Sequence, residues 1–458
     1  MKNKDFEPYK RILRFLAAMI MVIGVTMVFM YTWKEYYNDG IVFPFYSKGH
    51  WMMSAIYAFF LIIFSYIYGG MKLGYLKREN IMFSQVLAVL CANILGYLET
   101  VLLSARFVDV MPIIVTTLID IILVFVWSII TDALFKKMFP PRRLLLLYED
   151  YTAEDMMIKM QSRKDRFEIA EMLDVSTGWE VIIEKIEKYD AVLIYDVHSL
   201  LRNKILKYCY SKSIRVYMTP KISDVIVRSS DNIHLFDTPL LLARNTGLTF
   251  EQKVLKRGMD IVFAVVVLVL SSPFMLLTAL AIKLYDGGPV LFKQDRATIN
   301  GKVFKIHKFR SMIVDAEKEG LSIPASEKDP RITPIGHVIR KLRLDELPQV
   351  FDILAGNMSV VGPRPERVEH VEKYTADIPE FAYRLKVKGG LTGYAQIYGK
   401  YNTTAYDKLK LDLMYIQNYS VLLDIKLILM TIKIMFMKES TEGFDEKRIS
   451  EIQSRKEK

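Results

Sequence analysis

Apolar residues in the first 140 positions fall into four long runs, roughly Ile12 to Tyr31, Trp51 to Tyr68, Ile81 to Leu103 and Met111 to Leu134. Each approaches the 20 or so residues that a helix needs to cross about 30 Å of hydrocarbon. The first run is long for a secretory signal and lacks a small-x-small cleavage site, so it is expected to be retained as a span. After Phe139-Pro140-Pro141 the period changes. RLLLLYE, RFEIAEML, DAVLIYDV and IRVYMTP are short apolar runs, separated by TAEDMMIKMQ and HSLLRNKILKYCY with helical spacing. That alternation predicts a parallel α/β module. The first strand leads into YEDYTAED, which has no glycine to let backbone close on a pyrophosphate, so the module is read as structural or regulatory.

A fifth apolar stretch, Ile261 to Ile282, contains no charge, yet carries Ser271, Ser272 and Pro273 near its middle. Charge sets its expected course. Lys2, Lys4, Lys10, Arg11 and Arg14 precede the first run, Lys72, Lys77 and Arg78 follow the second, and Lys136, Lys137, Arg142 and Arg143 follow the fourth. The positive-inside rule places those flanks in the cytoplasm. The fifth stretch has Lys253, Lys256 and Arg257 before it and Lys283, Lys293 and Arg296 after it, so both ends carry the same signature. A helix that breaks at Pro273, dips about 15 Å and returns fits those lengths. The serine hydroxyls would bond the freed carbonyls. A Pro-kinked fifth span is the alternative. Near its carboxyl end the chain has one more apolar segment, Val421 to Met437, in which Lys426 and Lys433 fall on nearly one helical face; an interfacial helix and a core helix are both open.

The net charge of +11 therefore follows the membrane flanks, and no nucleic-acid partner is expected. Cys91 and Cys209 are the only cysteines, too few for a disulfide framework or a zinc site. Glu99, Arg106, Asp109 and Asp120, in or beside the third and fourth runs, either line a polar path or pair between helices.

Chemistry concentrates downstream, in HKFRSM (307–312), IRKLRLDELPQ (339–349), GNMSVVGPRPE (356–366), GGLTGYAQ (389–396) and KLKLDLMYI (408–416). Arg340, Lys341 and Arg343 crowd the adjacent carboxylates Asp345 and Glu346, and Pro348 is placed to open a following helix. Carboxylates among arginines suit phosphoryl transfer, because a diphosphate repels an anionic nucleophile until cations neutralise it. One carboxylate can then attack phosphorus while its neighbour holds Mg²⁺.

With the SSP break, KFRSM, LDELPQ, VVGPRP and GLTGYAQ together, the chain resembles the bacterial sugar transferases that act on polyprenyl phosphate, the monotopic phosphoglycosyl transferases, from KRGMDI at 256 to TIKIMF at 431. The resemblance implies a membrane protein of three parts. Residues 1–138 would form four transmembrane helices and 139–250 a cytoplasmic Rossmann-like module without a glycine-rich nucleotide loop. Residues 251–458 would form an α-rich catalytic domain with a re-entrant helix at about 258–284, broken at Ser272 and Pro273, and an interfacial helix at about 420–437. It further implies that Asp345 attacks a UDP-sugar, releasing UMP, and that undecaprenyl phosphate takes the phosphosugar from the aspartate at the cytoplasmic face of the inner membrane, initiating exopolysaccharide or capsule synthesis. Glu346 would hold the metal beside Asp345, Arg340 and Arg364 would clamp phosphate, and Lys308, Arg310 and Asp412 would line the substrate site. A homodimer is compatible with the resemblance. Many members have proline where this chain has Gly389, which predicts a more mobile loop here. Two rivals are a non-catalytic membrane platform, which has no need of carboxylates ringed by arginines, and a nucleotide-sugar oxidoreductase, which needs the missing glycine turn.

Overall fold

A computed structural model describes residues 4–149, 153–243, 247–314, 316, 329–400 and 403–436. The charged tail after Met437 lies outside the described residues. By its contacts the chain divides into two units, Met1–Lys221 and Ile222–Lys458.

The first unit opens with α1 (Lys10–Thr32), α2 (Ser47–Tyr68), α3 (Arg78–Ser104) and α4 (Met111–Met138). All four are long and apolar enough to cross a membrane. Their outward faces stay apolar, as at Leu118, Ile122 and Phe125 of α4, while their contacts carry polar bonds. The Tyr57 hydroxyl donates to Asn93 Oδ1 (2.6 Å), and Asn93 Nδ2 donates to Asp120 Oδ2 (3.1 Å). Asp120 is thus paired between helices, one of the two courses open to it.

The α/β part follows as β1 (Arg142–Tyr148), α5 (Ala153–Gln161), β2 (Phe167–Asp174), α6 (Trp179–Ile186), β3 (Ala191–Tyr195), α7 (Ser199–Ser211) and β4 (Arg215–Met218). The four strands form one parallel sheet in the order β2-β1-β3-β4. Leu144 to Leu147 are all buried, as a strand covered on both faces requires. Leu145 and Leu147 pack with Ile182, Ile186 and Ile205 on one side, and Leu146 packs with Ala153 on the other.

The second unit begins earlier than the expected boundary at 250. It contains α8 (Ile222–Arg228), an exposed antiparallel hairpin of β5 (Asp231–Leu235) and β6 (Thr238–Leu242), and α9 (Phe250–Asp286). The reason is burial: Ile222 and Val225 of α8 share one apolar core with Leu409, Leu413 and Phe381. Then come the antiparallel pair β7 (Leu291–Ala297) and β8 (Val303–Phe309), α10 (Pro334–Lys341), α11 (Gln349–Leu354), β9 (Ser359–Val361), α12 (Val368–Asp377), β10 (Gly390–Thr392), α13 (Tyr394–Tyr398), α14 (Ala405–Gln417) and α15 (Val421–Met435).

Three of the sequence expectations are corrected here. The fifth apolar helix is longer than 258–284, and helical geometry runs through Pro273 instead of stopping there. Proline removes the N–H that would bond the Val269 carbonyl, and Ser272 Oγ donates to that carbonyl instead (2.9 Å), which keeps the element whole. Ser271 turns to Met275 Sδ (3.5 Å) and plays no such part. In α15, Lys433 is buried and Lys426 half-buried. That helix packs Leu423, Leu427 and Ile428 into the core and exposes Leu422, Ile432 and Phe436.

Helix α9 is fastened to the rest of the unit at both ends. Near its start, Lys256 Nζ lies 2.6 Å from Asp424 Oδ2 on α15 and 3.0 Å from the Tyr415 hydroxyl. Arg257 donates to the carbonyls of Ile353 (2.6 Å) and Leu354 (2.7 Å) at the end of α11, and Asp260 Oδ1 accepts from Ser359 Oγ and Val360 N, both at 2.9 Å. At its other end, Asp286 pairs with Arg310 just after β8.

The glycines of the VVG and GGLTG motifs let two backbones touch. β9 and β10 pair in parallel, and a Cβ on Gly390 would collide with the Gly362 amide and lie 2.6 Å from the Thr392 carbonyl. Gly390→Ala is expected to destabilise this unit by about 3 kcal/mol or more, because neither clashing atom is a side chain that can swing away. A thermal melt of the detergent-solubilised protein checks it; an unchanged melting temperature rejects it.

Candidate active site

Leu344–Glu346 form a single 3₁₀ turn between α10 and α11, capped by Leu347. Its two leucines pack toward Ile282, Phe309 and Ile339, which leaves the two acids presented between them. Arg343 enters the turn with φ +58°, the left-handed region that ends α10 and reverses the chain. Pro348, at φ −61°, then opens α11, as its fixed geometry favours.

Adjacent in sequence, the two carboxylates differ in environment. Glu346 Oε1 accepts from Lys308 Nζ (3.1 Å) and Arg364 Nη2 (2.8 Å). Burial would raise its pKa, but the charges of Lys308 and Arg364 outweigh that and hold it far below the usual carboxylate range. Asp345 has no hydrogen-bond or ion-pair partner among the described residues. Burial and the neighbouring Glu346 charge push its pKa up, against the opposing charges of Lys308, Arg340 and Arg343. Lys308 is itself lowered, mainly by burial.

The unclaimed carboxylate oxygens of the turn are those of Asp345 and Oε2 of Glu346, hard donors that suit one divalent cation. Among the described residues no group of three His, Cys, Asp or Glu side chains could hold a metal by itself. Such a cation would therefore complete its shell with substrate oxygens and water.

Behind Arg364 stands a second layer of charge. Arg384, buried, donates to the Arg364 carbonyl (3.0 Å) and lies 2.8 Å from Asp412 Oδ2. Glu366 pairs with Lys408 (2.9 Å) and, more loosely, with Arg384 (3.6 Å). Burial works against its ionised form, yet those two cations hold its pKa at about 2.

Matching extends well beyond this turn. The family model described as bacterial sugar transferase matches residues 251–438. The chain is 37% identical over 189 residues to the uncharacterized sugar transferase EpsL of Bacillus subtilis (strain 168), a match that covers 41% of this chain and 91% of that protein. The chain belongs to the bacterial sugar transferase family. Another family relative is the UDP-N-acetylgalactosamine-undecaprenyl-phosphate N-acetylgalactosaminephosphotransferase of Aeromonas hydrophila, 40% identical over 234 residues, or 50% of this chain and 54% of the relative. A third is the UDP-glucose:undecaprenyl-phosphate glucose-1-phosphate transferase of Escherichia coli (strain K12), 35% identical over 271 residues, or 56% and 58%. The matched region thus spans little more than half the length of these two relatives.

Within this sugar transferase chain, the structure brings Asp345, Glu346, Lys308 and Arg364 together. Arg340 is half-buried on α10, its guanidinium has no bonded partner among the described residues, and it lies close enough for its charge to act on Asp345. The structure does not bring two of the expected residues to the carboxylates in the same way. Arg310 is committed to Asp286 and to the Pro289 carbonyl (2.7 Å), which makes it a clasp on α9. Asp412, expected to line the substrate site, is buried against Arg384 and reaches the site only through Arg364, and burial raises its pKa. Gly389, expected in a mobile loop, donates its N–H to Thr298 Oγ1 (3.1 Å), while its carbonyl accepts from Ser359 N (2.8 Å).

Residue reading missed Arg384, which stands in YRLK without a motif, and Glu366 and Lys408, which were inside quoted motifs but had no assigned role. The signal available for Glu366 was its place two residues after Arg364 in RPE.

Proposed function

We propose that this protein is a membrane phosphoglycosyl transferase that moves a sugar 1-phosphate from a UDP-sugar to undecaprenyl phosphate, the first step in building an exopolysaccharide or capsule repeat unit. The observation that carries the reading is the contrast at the turn: a carboxylate free of partners beside one locked between Lys308 and Arg364.

In the first half-reaction an Asp345 carboxylate oxygen attacks the sugar-linked phosphorus. The P–O bond to the nucleotide breaks and UMP leaves with the electron pair. In the second, an oxygen of the lipid phosphate attacks the same phosphorus, breaks the acyl phosphate bond, and returns Asp345 as a free carboxylate. Division into two steps lets a soluble and a lipid substrate use one site in turn. Mg²⁺, held by Glu346 and Asp345, would neutralise diphosphate charge in this site. Arg364 keeps Glu346 ionised and in place, and Arg340 supplies a free cation for the incoming phosphates.

The membrane arrangement belongs to the same reading. Four helices span, and α9, kinked at Pro273 without losing its helical turns, enters and leaves on the cytoplasmic side. Support comes from the basic residues on both flanks of α9, from Ser272 serving the carbonyl that Pro273 leaves bare, and from the bonds that tie both helix ends to one unit. The UDP-sugars and lipid acceptor are taken from the names of the relatives.

The test is product analysis with the full chain in detergent or nanodiscs. UMP is expected from at least one UDP-sugar when Mg²⁺ is present, with turnover rising on addition of undecaprenyl phosphate and lost on chelation. Release of UDP in place of UMP would mean that the sugar moves without its phosphate, and the proposal fails. Labelling of single cysteines placed after residue 290 should occur only from the cytoplasmic side; labelling from outside rejects the course given to α9.

A further inference from the structure

Two of the cations near the acidic turn are already engaged, since Lys308 and Arg364 both bond Glu346. The side chains of Arg340 and Arg343 have no bonded partner among the described residues, and they differ in place. Arg340 is half-buried, whereas Arg343 is exposed at the end of α10, with its charge felt by both Asp345 and Glu346.

The surface that leads to Arg343 is apolar. Helix α10 packs Ile335 and Ile339 toward Ile282 of α9 and turns Val338 and Leu342, four residues apart, outward at 56% and 54% exposure. The short apolar stripe of Val338 and Leu342 thus leads to Arg343, whose charge acts on the free carboxylate. A water-soluble nucleotide sugar has no use for such an approach. A phosphate carried on a long hydrocarbon chain does, since its tail can lie along the stripe while its head meets the cation.

We propose that Arg343 receives the phosphate of the polyprenyl acceptor, with Val338 and Leu342 seating the first part of its chain; the assignment rests on the two-step reading above.

The experiment compares Michaelis constants for the two substrates. Arg343→Gly removes the charge and is at ease at φ +58°, so the turn keeps its course. Its KM for undecaprenyl phosphate is expected to rise about tenfold or more, as for loss of a charged hydrogen bond, with KM for the UDP-sugar rising less than about threefold. Arg343→Lys should recover most of the acceptor affinity. Val338→Ser should raise KM for the acceptor in the same direction by a smaller factor. A rise confined to the UDP-sugar assigns Arg343 to the donor diphosphate and overturns the inference, as does a glycine variant with wild-type constants for both. A wild-type protein that releases no UMP removes the two-step reading, and this inference falls with it.

Discussion

Asp345→Asn is expected to abolish turnover, reducing UMP formation by about a thousandfold or more, and to prevent any phosphosugar adduct on the protein. The amide is nearly isosteric, and Asp345 bonds nothing among the described residues, so the substitution should leave the fold unchanged. What it removes is a nucleophilic oxygen, without which neither half-reaction has a route through the protein. Mass spectrometry after incubation with a UDP-sugar in the absence of lipid is the direct check. An adduct that still forms on the asparagine variant transfers the nucleophile role elsewhere. Glu346→Gln should behave differently: it also loses activity, but it weakens the bonds from Lys308 and Arg364 and so lowers the melting temperature as well.

The second large effect concerns stability. Asp424→Leu is expected to cost about 3–5 kcal/mol, because it leaves the buried Lys256 ammonium without its counter-charge. Tyr415, within hydrogen-bond distance of Asp424 Oδ1 (2.8 Å) and the Val361 carbonyl (3.1 Å), would lose one of its partners too. The double variant Lys256→Met with Asp424→Leu should recover much of the loss, since removing both charges leaves nothing unpaired. Proteolysis rates or thermal melts of the three proteins decide it. Equal losses in the single and double variants would mean that packing, not charge pairing, dominates there.

Much of the architecture was legible because its signals are local. Apolar runs of membrane length mark α1 to α4 and α9, and the change of period after Pro141 marks the parallel strands. The acidic turn was legible because Arg340, Lys341 and Arg343 crowd two adjacent acids within one short stretch, just ahead of Pro348. What could not be read depends on partners far along the chain. Arg384 meets Asp412 and the Arg364 carbonyl only after folding. Arg310 sits two residues from Lys308 in one basic stretch, and nothing in that stretch says that Asp286 claims the first while Glu346 holds the second. The start of the second unit at Ile222 has the same origin, since two buried side chains of α8 join a core assembled from α14 and the loop before β10.

In the proposed membrane arrangement, the bonds at the two ends of α9 couple the bilayer to the candidate site. Arg257 grips the helix that follows the acidic turn, and Asp286 grips the residue just past the strand that carries Lys308. Bilayer thickness and lateral pressure acting on this helix would then pull on the spacing between Lys308 and Glu346. Turnover in the proposed reaction should vary with acyl length of the surrounding lipid even when substrate concentration is fixed, and so report the mechanical state of the layer.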